Sequence, residues 1–300
     1  MNQSEMTKIV VITFLIIGIG VLGSCTSGSS ENSQTADNSS VFDTSNLVAW
    51  CVVPFDSEER RPEERATMLR ELGISELAYD WRQEHLPTFE AELEALENHN
   101  INLRAVWFWI DQDSVGYLGE DNEVLWDKMV ANNVQTECWF SFSPQLYKDV
   151  ANEEKFRRAI RFIADFRERA KQQNCTLGMY NHGDWFGDPI NQLAIIDSLG
   201  DDHLGMVYNF HHAHHELDEF PELLEKMQDH LLCINLNGME VGGEKILPLG
   251  EGDRELEMLQ AIQSSRYQGP IGIIGHQDQD VKQVLTQNLR GLDQLKTQLK

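Results

Sequence analysis

Between residues 46 and 300, short apolar runs alternate with longer amphipathic stretches, and this alternation restricts the fold more than any other feature of the chain. The apolar runs are NLVAWCVV (46–53), SELAYD (75–80), INLRAVWFW (101–109), VQTECWFSF (134–142), CTLGMYN (175–181), HLGMVYNF (203–210), LLCINLN (231–237) and PIGIIG (270–275). Their near-continuous hydrophobicity suits strands buried on both faces of a parallel sheet. The intervening stretches read as helices. PEERATMLRELG (62–73) has proline in its first turn and stops at glycine, as a helix should. Residues 87–100 carry Phe89, Leu93 and Leu96 on one face, and residues 152–174 carry Phe156, Ile160, Ile163 and Phe166. Residues 253–267 and 280–295 follow the same rule. Eight strands alternating with eight helices, at about 30 residues per unit, predict an α/β fold of one domain, the (β/α)8 or TIM barrel. An open doubly wound sheet is the alternative, but no G-x-G-x-x-G follows the first strand.

Residues 1–25 form a unit of their own. Lys8 precedes the apolar run IVVITFLIIGIGVLG (9–23), which is shorter than the roughly 20 residues of a comfortable membrane span. Small residues then lead directly into Cys25, the pattern of a secretory signal. Leu22-Gly23-Ser24-Cys25 also resembles the lipobox of bacterial lipoproteins, in which the cysteine is lipidated and becomes the new N-terminus. An uncleaved membrane anchor is the other reading. The expected location is the bacterial cell envelope, outside the cytoplasm, with membrane contact only through lipid on Cys25. Residues 26–45, rich in Ser, Asn and Thr, read as a flexible tether to the 46–300 barrel. A formal charge of −25 would repel nucleic acid and anionic membrane alike. Cys51, Cys138, Cys175 and Cys233 lie in apolar runs without CxxC spacing and read as small buried hydrophobes.

A barrel of this kind carries its chemistry at the C-terminal ends of its strands. Those ends supply Asp80-Trp81-Arg82, Trp107, Trp109 and Asp111, then Asn181-His182, Asn209-Phe210-His211-His212, Asn235, Asn237 and His276. Four histidines fall in positions 211–215, where His214 and His215 are expected on the polar side of a helix that HHAHHELDEF opens. Trp81, Trp109 and Trp185 adjoin strand ends and suit stacking on a sugar ring, whereas Trp50 and Trp139 read as interior filling. Asp80 and Arg82 form either an acid/base and anchoring patch or an ion pair at the rim. Glu137 is a buried candidate base if its strand turns it inward with Trp139 and Ser141; the opposite phase turns it toward the helices.

The segment ILPLGEGDRELEMLQAIQSSRYQGPIGIIG (246–275) has a Leu-Gly-x-Gly-Asp turn, a helix, and Tyr-x-Gly-Pro leading into the last strand. With it, the whole 46–300 region resembles the xylose isomerase-like TIM barrels, the sugar phosphate isomerase/epimerase superfamily. Gly250-Glu251-Gly252-Asp253 itself reads as a tight turn with an aspartate N-cap. The resemblance implies a divalent metal held by carboxylates and a histidine at the later strand ends. Those positions fall on Tyr180, on Asn209, on Asn235 or Asn237, and on Gly275 beside His276, so the usual acidic set is absent.

Three readings of the remaining cluster stay open. The imidazoles of His182, His212 and His276 act as acid, base and oxyanion donors, with Asp80, Trp81, Arg82, Trp109, Asn181, Trp185, Asn209, His211 and Asn237 holding substrate. Alternatively three histidines bind zinc or manganese, with ligands unknown. In the third, several cap helices or are solvated. The expected function is an envelope enzyme that moves a proton next to the carbonyl of a neutral sugar or keto-sugar, by isomerisation, epimerisation or elimination/hydration. The alternatives are a non-catalytic sugar-binding lipoprotein and a histidine-ligated, metal-dependent sugar lyase or hydrolase. The partner is a small carbohydrate, not nucleic acid.

Overall fold

A computed structural model describes residues 40–299, apart from Asp201 and His214. The leader with Cys25, residues 26–39 of the tether, and His214 lie outside the described residues. Eight strands form a closed barrel in sequence order, every neighbouring pair parallel, with β8 returning to β1. They are β1 (Leu47–Trp50), β2 (Glu76–Tyr79), β3 (Asn102–Ile110), β4 (Glu137–Phe142), β5 (Thr176–Tyr180), β6 (Leu204–Asn209), β7 (Leu231–Leu236) and β8 (Ile271–Ile274). Each is followed by a helix: α1 (Pro62–Glu71), α2 (Phe89–Asn98), α3 (Glu120–Ala131), α4 (Asn152–Gln172), α5 (Pro189–Leu199), α6 (Phe220–Met227), α7 (Glu255–Ser264) and α8 (Val281–Lys296). The (β/α)8 barrel expected from the alternation is therefore the observed fold.

Two apolar cores follow from the strand period of two. Outward residues such as Val106, Phe108, Cys138, Phe140, Met179 and Met206 join the helices in one layer. Inward residues, among them Val48, Trp50, Ala105, Trp139, Tyr180 and Cys233, fill the barrel. Large rings fit inside because small residues face them. A Cβ on Gly178 would meet Trp139 Cδ1 at 2.8 Å and Val207 Cγ2 at 2.9 Å, so that strand position must stay bare for the indole. Within this interior Trp50 packs edge to face on Trp139 at 5.1 Å, and Trp107 on Tyr180 at 5.1 Å.

The structure corrects several local readings. The tether ends earlier than residue 45, because Phe42 is fully buried in the outer core. HHAHHELDEF does not open a helix: Asn209 caps a 3-10 turn over Phe210–His212, and α6 starts only at Phe220. Asp253 does not cap α7; its carboxylate accepts from Val241 N at 2.8 Å, while Glu255 Oε1 accepts from Gly252 N at 2.8 Å and Gly250 N at 3.2 Å. That glycine turn spends its amides on its own helix. The four cysteines are buried and unpaired by disulfides.

Candidate active site

The C-terminal mouth of the barrel holds a cavity of about 760 Å3. Trp50, Trp107 and Tyr180, all inward residues near their strand ends, are among its lining. Tyr180 is the keystone beneath the histidines. Its hydroxyl accepts a hydrogen bond from Trp50 Nε1 at 2.7 Å and another from Asn209 Nδ2. Asn209 Oδ1 in turn accepts from His211 N at 3.0 Å. One amide thus ties the interior ring to the 3-10 turn that presents His211 and His212.

These two join His182 and His276 in a wall of imidazoles. Ring centroids lie 4.4 Å apart for His182 and His212, 4.3 Å for His211 and His212, and 5.4 Å for His211 and His276. Trp109 meets His182 edge to face at 4.9 Å, and Phe55 lies 3.8 Å from His276. Burial drives His212 down to about 2, helped by the positive charge of Lys245 and the charge its three histidine neighbours would carry. Burial lowers His182 and His276 as well. His182, His212 and His276 are therefore neutral at physiological pH, each with one N–H donor and one ring-nitrogen acceptor. The backbone of His182 is held by Ser141 Oγ, which donates to its carbonyl at 3.0 Å.

Asp80, at the end of β2, is 2% exposed. Its Oδ1 accepts from Val53 N at 3.1 Å, whereas Oδ2 is buried without a hydrogen-bond partner. Burial pushes this carboxyl up to about 6, against the Val53 N–H and the charge of Arg82. Arg82 forms no rim ion pair with it; its Nη1 donates to the backbone carbonyls of Asp80 at 2.9 Å and Trp81 at 2.8 Å. Trp81 Nε1 is committed to Trp107 O at 2.7 Å. Next to this wall Cys51 adopts φ +54, a conformation uncommon outside glycine and often met at functional sites.

Of the residues expected at the site, Asp80, Trp81, Arg82, Trp109, His182, Asn209, His211, His212 and His276 line this cavity together. Three others do not. Asn181 is buried and clamps β5 to β6, its amide accepting from Asn209 N at 2.8 Å and donating to Asn209 O at 3.1 Å. Asn237 donates to Gly238 O and Lys245 O, both at 2.8 Å, and so closes the loop after β7. Trp185 lies in a separate chamber with Tyr147 and Lys155. Sequence reasoning missed the loop between β3 and α3 and the first turn of α3, whose Gln112, Tyr117, Glu120 and Asp121 line the cavity; nothing in their composition marks them. It also missed Trp50 and Tyr180 as lining groups, although each is the last residue of its strand and Tyr180 directly precedes Asn181-His182.

The donor set does not fit the metal that the resemblance implies. A hard cation needs anionic or carbonyl oxygen, but Tyr180, far above its ordinary value through burial, accepts two hydrogen bonds, and the amide of Asn209 is spent on Tyr180 and His211. Among the described residues, no three His, Cys, Asp or Glu side chains are arranged to hold a metal ion.

No family model matches the sequence, and no curated protein does. Solved structures do resemble the fold. A probable 3-DHS dehydratase from Bacillus anthracis aligns with a TM-score of 0.64 at 12% identity, covering 83% of this chain and 98% of that one. The 3-keto-D-glucoside 4-epimerase of E. coli aligns with a TM-score of 0.61 at 12% identity, covering 84% and 99%. A xylose isomerase-like TIM barrel protein from Mycobacterium smegmatis, solved with magnesium, aligns at 0.57 with 14% identity, covering 87% and 99%. At such identities the likeness is one of fold alone: this chain shares the barrel of these proteins.

Proposed function

We propose that the chain is a sugar isomerase/epimerase-like enzyme that moves a proton next to the carbonyl of a neutral sugar or keto-sugar. The observation that carries this reading is a buried carboxyl with an uncommitted oxygen, Asp80 Oδ2, in the same cavity as the neutral imidazoles of His182, His212 and His276. Asp80 stands at the end of β2 and His182 just after β5, three strands apart in a ring of eight. A ring seated between them has one proton-carrying group toward each face. Above pH 6 the Asp80 carboxylate takes the proton from the carbon beside the carbonyl. The electron pair moves to the carbonyl oxygen, which His212 and His276 stabilise as N–H donors. A solvent proton taken up by His182 is delivered to that carbon from the other side, giving the epimer, while Asp80 gives its proton back to solvent. For the isomer, Asp80 returns its proton to the former carbonyl carbon as the proton of the neighbouring hydroxyl passes to the carbonyl oxygen. His212 is too weak a base for the first step, so its role is donation. The aromatic rings of Trp81, Trp107 and Trp109 suit the C–H face of a sugar.

A screen of sugars and keto-sugars in deuterated water tests the mechanism. Deuterium should enter the carbon next to the carbonyl; a sugar that binds in the cavity yet exchanges nothing would sink it. A sugar-binding protein without turnover is the second reading, favoured by the commitment of Tyr180 and Asn209 to each other. It expects sugar affinity to survive His182→Gln and His212→Gln. We also take the barrel to be tethered at the bacterial envelope through lipid on Cys25, on the strength of Leu22-Gly23-Ser24-Cys25. Cys25→Ser should then abolish fatty-acid labelling; undiminished labelling rules the anchor out.

A further inference from the structure

A second chamber of about 130 Å3 lies between the loops after β4 and β5, and His182 lines both it and the main cavity. Its walls are aromatic: Tyr147 meets Trp185 edge to face at 5.2 Å, and Phe142 meets Phe186 at 4.7 Å. The loops close on each other at Gly183, where a Cβ would come within 3.1 Å of Pro144. Three of the lining residues bury polar atoms that have no hydrogen-bond partner: Tyr147 Oη, Trp185 Nε1 and His182 Nδ1. Tyr147 is only 4% exposed. Each such group is costly to bury unless something satisfies it. All three belong to residues that wall this one chamber, which marks it as a place where an acceptor would find donors.

Charge decides the class of that acceptor. Lys148 and Lys155 line the chamber, but so do Asp149 and Asp184, so the opposite charges are equal in number. The chain as a whole, at −25, disfavours an anion. A neutral group with one acceptor oxygen and a small apolar end meets both demands: its oxygen takes the buried O–H or N–H, and its methyl packs on the rings.

We propose that this chamber is a subsite for an acetamido or similar short N-acyl substituent of the sugar held in the main cavity, which makes N-acylated amino sugars the substrate class. The inference rests on the sugar reading above. It also gives Trp185 a part in recognition, holding the substituent and not the ring.

The test begins without any sugar. Acetamide and acetate are titrated separately into the full chain while the indole N–H of Trp185, identified by its loss in Trp185→Phe, is followed by 15N NMR. Acetamide should move that signal and acetate should move it less. N-acetylglucosamine and N-acetylgalactosamine are then compared with glucose and galactose. At least one acetylated sugar should bind about tenfold more tightly than its parent, a difference of about 1.4 kcal/mol. Trp185→Phe and Tyr147→Phe should each shrink that preference while leaving affinity for the parent hexose unchanged. An indole indifferent to acetamide, a stronger response to acetate, or a preference that survives both variants would overturn the proposal. A chain that responds to acetamide yet exchanges no proton on any bound sugar keeps the chamber and loses only the catalytic reading.

Discussion

The two mouths of this barrel each bury a carboxyl that burial has pushed toward neutrality, and only one of them faces room for a substrate. At the C-terminal mouth, Asp80 rises to about 6 and lines the cavity with Oδ2 uncommitted. At the N-terminal mouth, Glu137 rises to about 7, also through burial. Yet Glu137 Oε2 accepts from Trp139 Nε1 at 2.7 Å, and Oε1 lies 3.4 Å from Arg104 Nη1. Arg104 is itself held bidentately by Glu76, at 2.7 and 2.8 Å. The perturbation has the same first cause at both ends. What separates a candidate site from a structural network is whether an oxygen remains for something that is not protein.

The sharpest way to break this comparison is to neutralise both carboxyls and follow deuterium exchange on a responsive sugar. Asp80→Asn and His182→Gln should each lower the rate by about 10²–10⁴-fold, the usual range for losing a general acid or base. Glu137→Gln should leave it within a factor of about two. A comparable loss at Glu137 would mean that burial alone marks function in this fold, and the distinction would collapse.

The fold was legible because parallel strands buried on both faces are largely apolar, and these eight are, with charge confined to Glu76, Arg104 and Glu137 near their N-terminal ends. Glu137 shows where legibility stops. Its phase depends on which way Trp139 turns, and Gly178 across the β4–β5 register leaves the space that lets the indole turn inward. Site residues at strand ends, such as Asp80 and His182, were readable because topology puts them there. Asn181 and Asn237 satisfy the same rule and still bond only backbone, Asn181 on the neighbouring strand β6 and Asn237 in its own loop, since an amide near a strand end is equally able to do so. Trp185 lies five residues beyond its strand, where loop path and not strand direction decides which chamber a ring enters.

The lower mouth offers the next largest effect. Arg104→Met leaves Glu76 and Glu137 facing each other without their cation. Their side chains are 17% and 14% exposed, so water relieves part of the penalty. The loss should be roughly 2–4 kcal/mol, at or just below the range for breaking a buried pair, read as a lower denaturant midpoint at pH 8. Because Glu137 takes up a proton more readily without Arg104, the loss should shrink toward pH 5. Exchange per folded molecule should not change. A variant as stable as the parent would show that the triad is ornamental, and a variant with altered exchange would couple the two mouths.

Asp80→Asn carries the smallest stability effect, and its sign separates a functional carboxyl from a structural one. An aspartate in the unfolded chain ionises near ~3.9, whereas Asp80 in the folded barrel holds its proton to about 6. Below pH 4 both states are protonated and the substitution should be close to neutral. Between pH 4 and 6 the folded state binds more protons than the unfolded one, so the parent loses stability as pH rises. Above pH 6 the deficit is fully developed. A two-unit elevation corresponds to on the order of 2–3 kcal/mol, so the asparagine variant should be more stable than the parent by about that amount at pH 8, with its Oδ1 still accepting from Val53 N. The measurement is a pair of urea midpoints at pH 4 and pH 8. A gain at pH 8 that vanishes at pH 4, together with lost exchange, is the signature of a carboxyl retained at a cost to stability for what it does in the cavity. A variant destabilised at both values would make Asp80 a clamp on Val53, and the proton-transfer role would pass to His182 alone.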